Sequence, residues 1–446
     1  MQAVILAGGV GKRIAPLGIN KPKAMFRVAG KPIIQHVLDR LKQANTGIEE
    51  LVVVVGPGEN AIQDYLGDGR EIGLKLKFVI QENPLGQANA LLAARDHIRE
   101  DIVVLNASDI YDASLLSELT QLGQRNSLDV ALVGRVVDEP NKFGVMQLNA
   151  DGKLIGVVEK PPKGQEPSNI AVIGLYYFST GIWKAIDSTP IGETDDQFER
   201  AYQKLIKPSG NDFISYEGPF ESYKYPWDLF AINDLLLSQM SENRISATAR
   251  ISPTAVIDTN VVIDENVRVL EYAVIRGPAY IGSGSIIGNH TLIRGGVSLG
   301  QNCVIGHSTE VARSILGDNC WTHKNFIGDS ILSDNCSFGA GTITANLRFD
   351  EKPVKVRVGE ARISSGKKYF GVIMAENCRT GCNVVLAPGT KMGPNSIAGP
   401  GIALTDDLPE GKIALLDKES YRVTDNHIDI GGVSRQKQLE SIKGSS

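Results

Sequence analysis

The residues best able to do chemistry stand at the front of the chain. Leu6-Ala7-Gly8-Gly9-Val10-Gly11-Lys12-Arg13 follows a short apolar run, Ala3–Leu6, that predicts a strand. Small residues at a strand end let backbone N–H groups turn toward an anion. The segment lacks the G-K-[ST] ending of a Walker A loop and is not a clean G-x-G-x-x-G. Its chemistry is sharpened by the cations that follow, Arg13 and then Lys21-Pro22-Lys23. Fixed cations beside a glycine loop can neutralise charge as it builds on a reacting triphosphate. A second basic stretch lies between about Ala345 and Phe370, where NLRFDEKPVKVRVGEARISSGKKYF holds seven Lys or Arg against three acids. It reads either as a solvated loop or as a clamp for phosphates.

These residues need elements to position them. The first 230 residues alternate strand and helix patterns. Leu51–Val55, Ile102–Leu105 and Ile170–Phe178 read as strands, and Ile33–Gln43, Leu91–Ile98 and Trp227–Met240 as helices. Such alternation predicts a mostly parallel sheet covered on both faces. After residue 245 apolar residues recur every six positions: Ile251, Ile257, Ile263, Val269, Ile275, Ile281, Ile287, Ile293, Leu299, Ile305 and Val311. The period returns at Met374, Thr380, Leu386, Met392, Ala398 and Leu404. A six-residue repeat marks a parallel β-helix, each hexad making one face and three hexads one coil. The basic stretch interrupts this period and so predicts an insertion at one edge of the solenoid. The polar tail after Leu404 loses the period and predicts fraying.

Composition narrows the class. The 446 residues carry a net charge of −5, with 42% hydrophobic and 22% charged residues. The lack of a basic surplus disfavours nucleic acid as a partner. No apolar run reaches transmembrane length and the start has no basic n-region, so the expectation is a cytoplasmic protein with no membrane role. The five cysteines all lie after residue 300, and an odd count argues against a disulfide framework. Cys303, Cys320, Cys336 and Cys378 each stand four residues after Leu299, Leu316, Leu332 and Met374. They read as small inward packing residues, and Cys378 with Cys382 as a metal pair lacks further ligands at suitable spacing.

The 36 residues from Leu6 to Leu41, LAGGVGKRIAPLGINKPKAMFRVAGKPIIQHVLDRL, resemble the opening signature of sugar-1-phosphate nucleotidyltransferases. Gln81-Glu82-Asn83-Pro84-Leu85-Gly86 resembles that family's base-reading stretch, and Asn106-Ala107-Ser108-Asp109 its metal-binding strand end. Lys142-Phe143-Gly144-Val145, Val158-Glu159-Lys160-Pro161 and Asn169 resemble its sugar-binding segments, and Tyr225-Pro226-Trp227-Asp228 its second metal position. The resemblance implies nucleotide and sugar contacts from Ala7, Gly8, Gly9, Gln81, Gly86, Gly144, Glu159 and Asn169. It implies Mg²⁺ on Asp109 and Asp228, hard oxygen ligands suited to that ion, with Arg13 on the β/γ-phosphates and Lys23 on the α-phosphate or sugar phosphate. The amide of Gln81 offers a donor and an acceptor, which matches uracil or thymine and favours UTP, with dTTP second. Gln87 and Asn89 stand where the family often has Thr and His.

Gly339-Ala340-Gly341-Thr342-Ile343-Thr344-Ala345-Asn346, with His323 upstream and Lys352 and Lys355 downstream, is similar to the acetyltransferase half of bifunctional enzymes of the GlmU type, archaeal ones in particular. These make UDP-N-acetylglucosamine. The resemblance implies acetyl-CoA as co-substrate, His323 as general base, and Arg294, Ala340, Asn346, Lys352 and Lys355 around the acceptor and CoA. Phe326, Ala312 and Ser337 depart from the pattern, standing where a Tyr, a Lys and an Asn are expected; Arg313 is the candidate substitute for the Lys.

The expected fold class is therefore α/β: a Rossmann-like nucleotidyltransferase domain over 1–235, a connection over 236–248, a left-handed parallel β-helix over 249–410 with its insertion at 345–370, and a tail over 411–446. The expected partners are UTP (or dTTP), a sugar 1-phosphate and acetyl-CoA, in a homotrimer. Two rivals stay open: a nucleotidyltransferase whose β-helix is only a scaffold or allosteric domain, and a non-catalytic regulatory subunit like those of the eukaryotic initiation-factor exchange complex.

Overall fold

Strand-forming runs such as LVVVV can be apolar at every position only if both faces of their sheet are covered. In the computed structural model, which describes residues 1–9, 11–192, 196–417 and 420–427, that is what they do. Val4, Val52, Val54 and Val104 are buried on one face, and Ala3, Ile5, Val53, Val103 and Leu105 on the other. The main path of the sheet runs Leu154–Glu159, Gly144–Leu148, Ile170–Phe178, Ile102–Asn106, Gln2–Leu6, Glu50–Val55, Lys75–Ile80. Gln2–Leu6 lies parallel between Ile102–Asn106 and Glu50–Val55, while Ile170–Phe178 runs antiparallel to its neighbours. The helix expected over Leu91–Ile98 begins earlier, at Gln87, and gives way to a 3₁₀ turn at Arg95–His97. Gly86, at φ +95° before its first turn, sets that start.

Contacts divide the chain into two compact units. One contains 1–10 and 33–222; the other contains 11–32 and 223–446. The helix Asp228–Ser238 and the segment that carries Arg13 and Lys23 thus belong to the same unit as the hexad repeats.

The repeats form a solenoid of parallel ladders. Arg250 pairs with Arg268, Val256 with Val274 and Val261 with Ala279, each partner eighteen residues, or three hexads, further on. The expected inward residues from Ile263 to Val311 are all buried, as are Met374, Thr380, Leu386, Met392, Ala398 and Leu404. Each buried aliphatic side chain contributes about 1.5–3 kcal/mol, and stacking makes the contribution continuous from coil to coil. Cys303, Cys320, Cys336 and Cys378 are fully buried and unbridged, while Cys382 is exposed. Each buried thiol donates to a carbonyl of the next coil, Cys303 to Gly317 at 3.2 Å and Cys336 to Ala375 at 3.1 Å among them. Asparagines at the corners, such as Asn302, Asn319, Asn335 and Asn377, take positive φ, a conformation Asn tolerates well.

Coil length then shortens. Ile315 pairs with Ile331 sixteen residues on, and Ile331 with Ile373 across the insertion. That insertion is an antiparallel hairpin, Lys355–Val358 with Ala361–Ser364, closed at its base by a Leu347–Tyr369 bridge. Of the tail after Leu404, for which fraying is expected, residues 428–446 lie outside the described residues, and the part before them forms strands. Lys412–Asp417 continues one ladder beside Ile397–Ala398 and pairs antiparallel with Ser420–Asp425.

Candidate functional site

In the sheet unit the glycine loop meets the segment that begins at Gln81. Gln81 is buried, and its Nε2 donates to the Gly86 carbonyl at 3.0 Å and to Asn89 Oδ1 at 2.9 Å. A Cβ on Gly8 would stand 3.0 Å from Gln81 Oε1, so the loop backbone packs closely against that oxygen. Both Nε2 hydrogens are spent within the protein. Oε1 is then the atom with which Gln81 can read a base, as an acceptor for a ring N–H. Asn89 thus fixes the orientation of the Gln81 amide.

Asp109 is buried at the start of the short strand Asp109–Tyr111, which pairs with Phe220–Ser222. Its Oδ1 accepts from Ser222 Oγ at 2.6 Å and its Oδ2 from Asn106 Nδ2 at 2.8 Å. Asn106 in turn accepts from Gln87 Nε2 at 3.2 Å. Gly174, in the middle of Ile170–Phe178, faces this pair: a Cβ there would lie 2.0 Å from Asn106 Nδ2 and 2.3 Å from Asp109 Oδ2. Sequence reasoning missed Ser222 and Gly174. The signal for Gly174 was a glycine inside an otherwise β-branched and aromatic run, which marks a close approach. Gly144 and Glu159 are directly paired across two antiparallel strands. A Cβ on Gly144 would meet Glu159 Oε2 at 2.9 Å, and Glu159 also pairs with Lys160 at 2.7 Å. Asn169 is exposed just before its strand.

In the other unit Gly11 takes φ +65° and starts the 3₁₀ turn Lys12–Ile14. The guanidinium of Arg13 lies 5.8 Å from the centre of the Tyr225 ring, which stacks on Trp227 at 4.7 Å. Lys23 opens a second 3₁₀ turn over Lys23–Met25 and is half-buried. Asp228 Oδ2 accepts from the backbone N–H groups of Tyr225 at 2.7 Å and Lys224 at 2.8 Å. Burial pushes its carboxyl above the usual range, against the pull of those two bonds. Among the described residues neither Asp109 nor Asp228 is in an ion pair with Lys or Arg, and each keeps lone pairs unused. Oxygen donors of this kind fit Mg²⁺, which is held by one or two carboxylates plus substrate phosphates and water.

The second candidate site lies on the solenoid. His323 is exposed, and its backbone is fixed on both sides. Its N–H donates to Asn325 Oδ1 at 2.7 Å and its carbonyl accepts from Thr309. Asn325 also donates to the carbonyls of Gly339 and Thr342, at 2.8 and 3.2 Å. Asn346 Nδ2 donates to Asp329 Oδ2 at 2.6 Å. The same carboxylate takes Arg313 in a two-bond grip, Nε at 2.6 Å and Nη2 at 2.7 Å. The Arg313 guanidinium stands 5.7 Å from the Tyr369 ring centre. Ala312 is fully buried, so the adjacent Arg313 carries the outward cation at this coil. Gly328 lies beneath both Phe326 and Asn346, its Cβ position 2.7 Å from each. Asp329 was not singled out from the sequence. Arg294 pairs with Glu310 at 3.0 Å. Ala340 is exposed at its turn, and its carbonyl accepts from Asn383 N–H at 2.8 Å. Lys352 and Lys355 are exposed and, among the described residues, form no ion pair.

Two family models match the chain, one on each side of residue 245. The nucleotidyl transferase family model matches residues 2–217, and the bacterial transferase hexapeptide model matches 260–295. The bifunctional protein GlmU of Methanococcus vannielii is 34% identical over 94% of this chain and 97% of its own length. That of Methanocaldococcus jannaschii is 34% identical over 92% of the chain and 96% of its own. A bifunctional sugar-1-phosphate nucleotidylyltransferase/acetyltransferase of Sulfurisphaera tokodaii is 31% identical over 92% and 99%. Because these relatives are 31–34% identical over more than nine-tenths of both chains, the chain belongs to the family of bifunctional GlmU proteins, pairing a nucleotidyltransferase with a hexapeptide acyltransferase.

Proposed function

We propose that the nucleotidyltransferase half joins UTP to N-acetylglucosamine 1-phosphate, and that the solenoid acetylates glucosamine 1-phosphate from acetyl-CoA to supply that substrate. The observation that carries the reading is the near full-length likeness to bifunctional relatives, together with both sets of site residues in one chain. In the nucleotidyl step an oxygen of the sugar phosphate attacks the α-phosphorus, the bond to the bridging oxygen breaks, and pyrophosphate leaves. The nucleophile is already an anion, so the need is for charge neutralisation rather than a general base. Arg13 and Lys23 supply fixed positive charge, Gln81 Oε1 accepts the N3–H of uracil, and Gly144, Glu159 and Asn169 hold the sugar. Mg²⁺ on Asp109 and Asp228 would add Lewis-acid stabilisation of the phosphates. In the acetyl step the amine nitrogen attacks the thioester carbonyl, His323 takes the amine proton, and the CoA thiolate leaves. Arg294, Ala340, Asn346, Lys352 and Lys355 surround the acceptor and the CoA phosphates. Hexapeptide acetyltransferases of this kind act as trimers, and we place the enzyme in the cytoplasm as a homotrimer.

The test is a substrate panel. UTP, dTTP, GTP and ATP are crossed with the 1-phosphates of glucose, glucosamine, N-acetylglucosamine and galactosamine, each with and without acetyl-CoA. The expected result is fastest pyrophosphate release with UTP and N-acetylglucosamine 1-phosphate, and acetyl-CoA consumption with glucosamine 1-phosphate. Preference for ATP, whose adenine has no ring N–H on its pairing edge, would overturn the role of Gln81. If no amino-sugar phosphate consumes acetyl-CoA, the solenoid is a scaffold and the acetyl step is wrong.

A further inference from the structure

One corner of the solenoid carries a column of acids that neither proposed reaction uses. The sequence marks it with a repeated triplet: Asp318-Asn319-Cys320, Asp334-Asn335-Cys336 and Glu376-Asn377-Cys378. In each, the cysteine packs inward and the asparagine turns the chain at positive φ. The acid faces the segment that bears the phosphate-binding cations. Lys21 Nζ meets Asp334 Oδ2 at 2.5 Å, Asn20 Nδ2 meets Glu376 Oε1 at 2.6 Å, and Arg27 Nε lies 3.8 Å from Asp318 Oδ2.

The acids are pre-aimed. Asp334 Oδ1 accepts the backbone N–H of Asp318 at 2.9 Å, and Asp318 Oδ1 accepts that of Gln301 at 2.8 Å. This leaves the second oxygen of each for the cation. Gly317 and Gly300 make room for those inner oxygens, since a Cβ there would lie 2.3 Å from Asp334 Oδ1 and 2.5 Å from Asp318 Oδ1. Further along the same segment the Ala29 N–H donates to the buried Ser298 hydroxyl at 2.8 Å. Gly30, at φ +86°, lies against the Tyr280 ring with no room for a Cβ. Lys21 and Asp334 are each about three-quarters buried, so their attraction is screened less than that of a surface pair. Pro22 and Lys23 follow Lys21 directly, and fixing Lys21 therefore limits where the Lys23 ammonium can reach.

We propose that this acid column is a seat for the 11–32 segment and that Asp334, through Lys21, is a positioning residue for Lys23 in nucleotidyl transfer. The solenoid is then a structural partner of the nucleotidyl step as well as the carrier of its own site. The inference rests on the reading of Lys23 as a phosphate ligand.

The test uses the full-length chain and the variants Asp334→Asn, Lys21→Ala and the double variant. Asn keeps the acceptor for Asp318 N–H and removes the charge, so the coil keeps its fold. The expected result for Asp334→Asn is about tenfold lower kcat for nucleotidyl transfer, an effect of misplacement, with acetyl transfer within about twofold of wild type. Backbone hydrogen exchange in peptides covering 16–30 should quicken about tenfold. Lys21→Ala should match it, and the double variant should be no worse than either single one. Unchanged exchange in 16–30 overturns the seat. Faster exchange with unchanged kcat overturns the positioning role, as does a proportional fall in both activities. Should wild-type protein show no nucleotidyl transfer at all, the proposed function fails while the exchange measurement still decides the seat.

Discussion

Gly174→Ala is the sharpest perturbation the sheet unit offers. The added methyl would sit 2.3 Å from Asp109 Oδ2 and 2.0 Å from Asn106 Nδ2, where ordinary contact begins at 3.4 Å. Something must move by roughly 1 Å. Gly174 lies where the strand's register shifts between Val172 and Tyr176, and it is held on its C-terminal side by the pairing of Leu175 with Leu105, so part of the movement falls on the side chains it meets. Asn106 and Asp109 are the mobile parties, and both move away from the Ser222 and Gln87 bonds that orient them. Overpacking of this size costs about 1–3 kcal/mol of stability. A displacement of about 1 Å in a group that positions reactants costs about 10²-fold in rate, or roughly 2.7 kcal/mol of barrier. The assay is pyrophosphate release with UTP and N-acetylglucosamine 1-phosphate, run beside acetyl-CoA consumption and a thermal melt. The expected outcome is a large loss of pyrophosphate release, a melting point lowered by a few degrees, and unchanged acetyl transfer. A folded Gly174→Ala protein with wild-type pyrophosphate release would refute the assignment of Asp109 to the reacting centre.

Other outcomes follow from the same reading. His323→Ala should abolish acetyl transfer and leave pyrophosphate release intact, while Asp329→Asn, which loosens both Arg313 and Asn346, should lower acetyl transfer about 10- to 100-fold without moving the other activity. Both rates are read in one paired assay, and equal loss of both would argue for misfolding instead. Burial raises the Glu59 carboxyl above the usual range against one bond from Gly56 N–H. A raised folded value means that the stability tied to the neutral form is full below about pH 4, near the unfolded value, and is lost as pH climbs through the folded one. Glu59→Gln should thus melt higher than wild type at pH 7 and equally at acid pH; a higher wild-type melting point at pH 7 would contradict this. Of the five thiols, Cys382 alone is exposed, so a thiol reagent should titrate one group in the native protein and five after denaturation.

Features carried by local period were legible from the sequence. The hexads place their aliphatic residues inward because each residue's face is fixed by its count from the last turn, and IAVIGLYYF occupies its predicted strand, Ile170–Phe178. Features fixed by pairing between distant segments were not. Gly174 meets Asp109 only because Ile170–Phe178 pairs with Ile102–Asn106, the strand that leads into Asp109. The hairpin after Leu404 escaped because the count had changed: Ala414 follows its partner Ala398 by sixteen residues, so a six-residue ruler steps over it. The Gln81 amide shows a finer limit. Its residue type points to a pyrimidine, but which of its atoms is left to read the base depends on Asn89 and the Gly86 carbonyl.

That terminal hairpin has a further consequence. A solenoid's last coil ends in a row of unpaired backbone groups, and such an edge is a template on which another chain can grow. Lys412–Asp417 occupies the edge beside Ile397–Ala398, and Ser420–Asp425 then covers it running in the opposite direction. Parallel stacking stops there, because a parallel newcomer finds an antiparallel strand in its place. On this face the chain carries its own chain terminator, and the height of the stack is set from within rather than by the supply of neighbours.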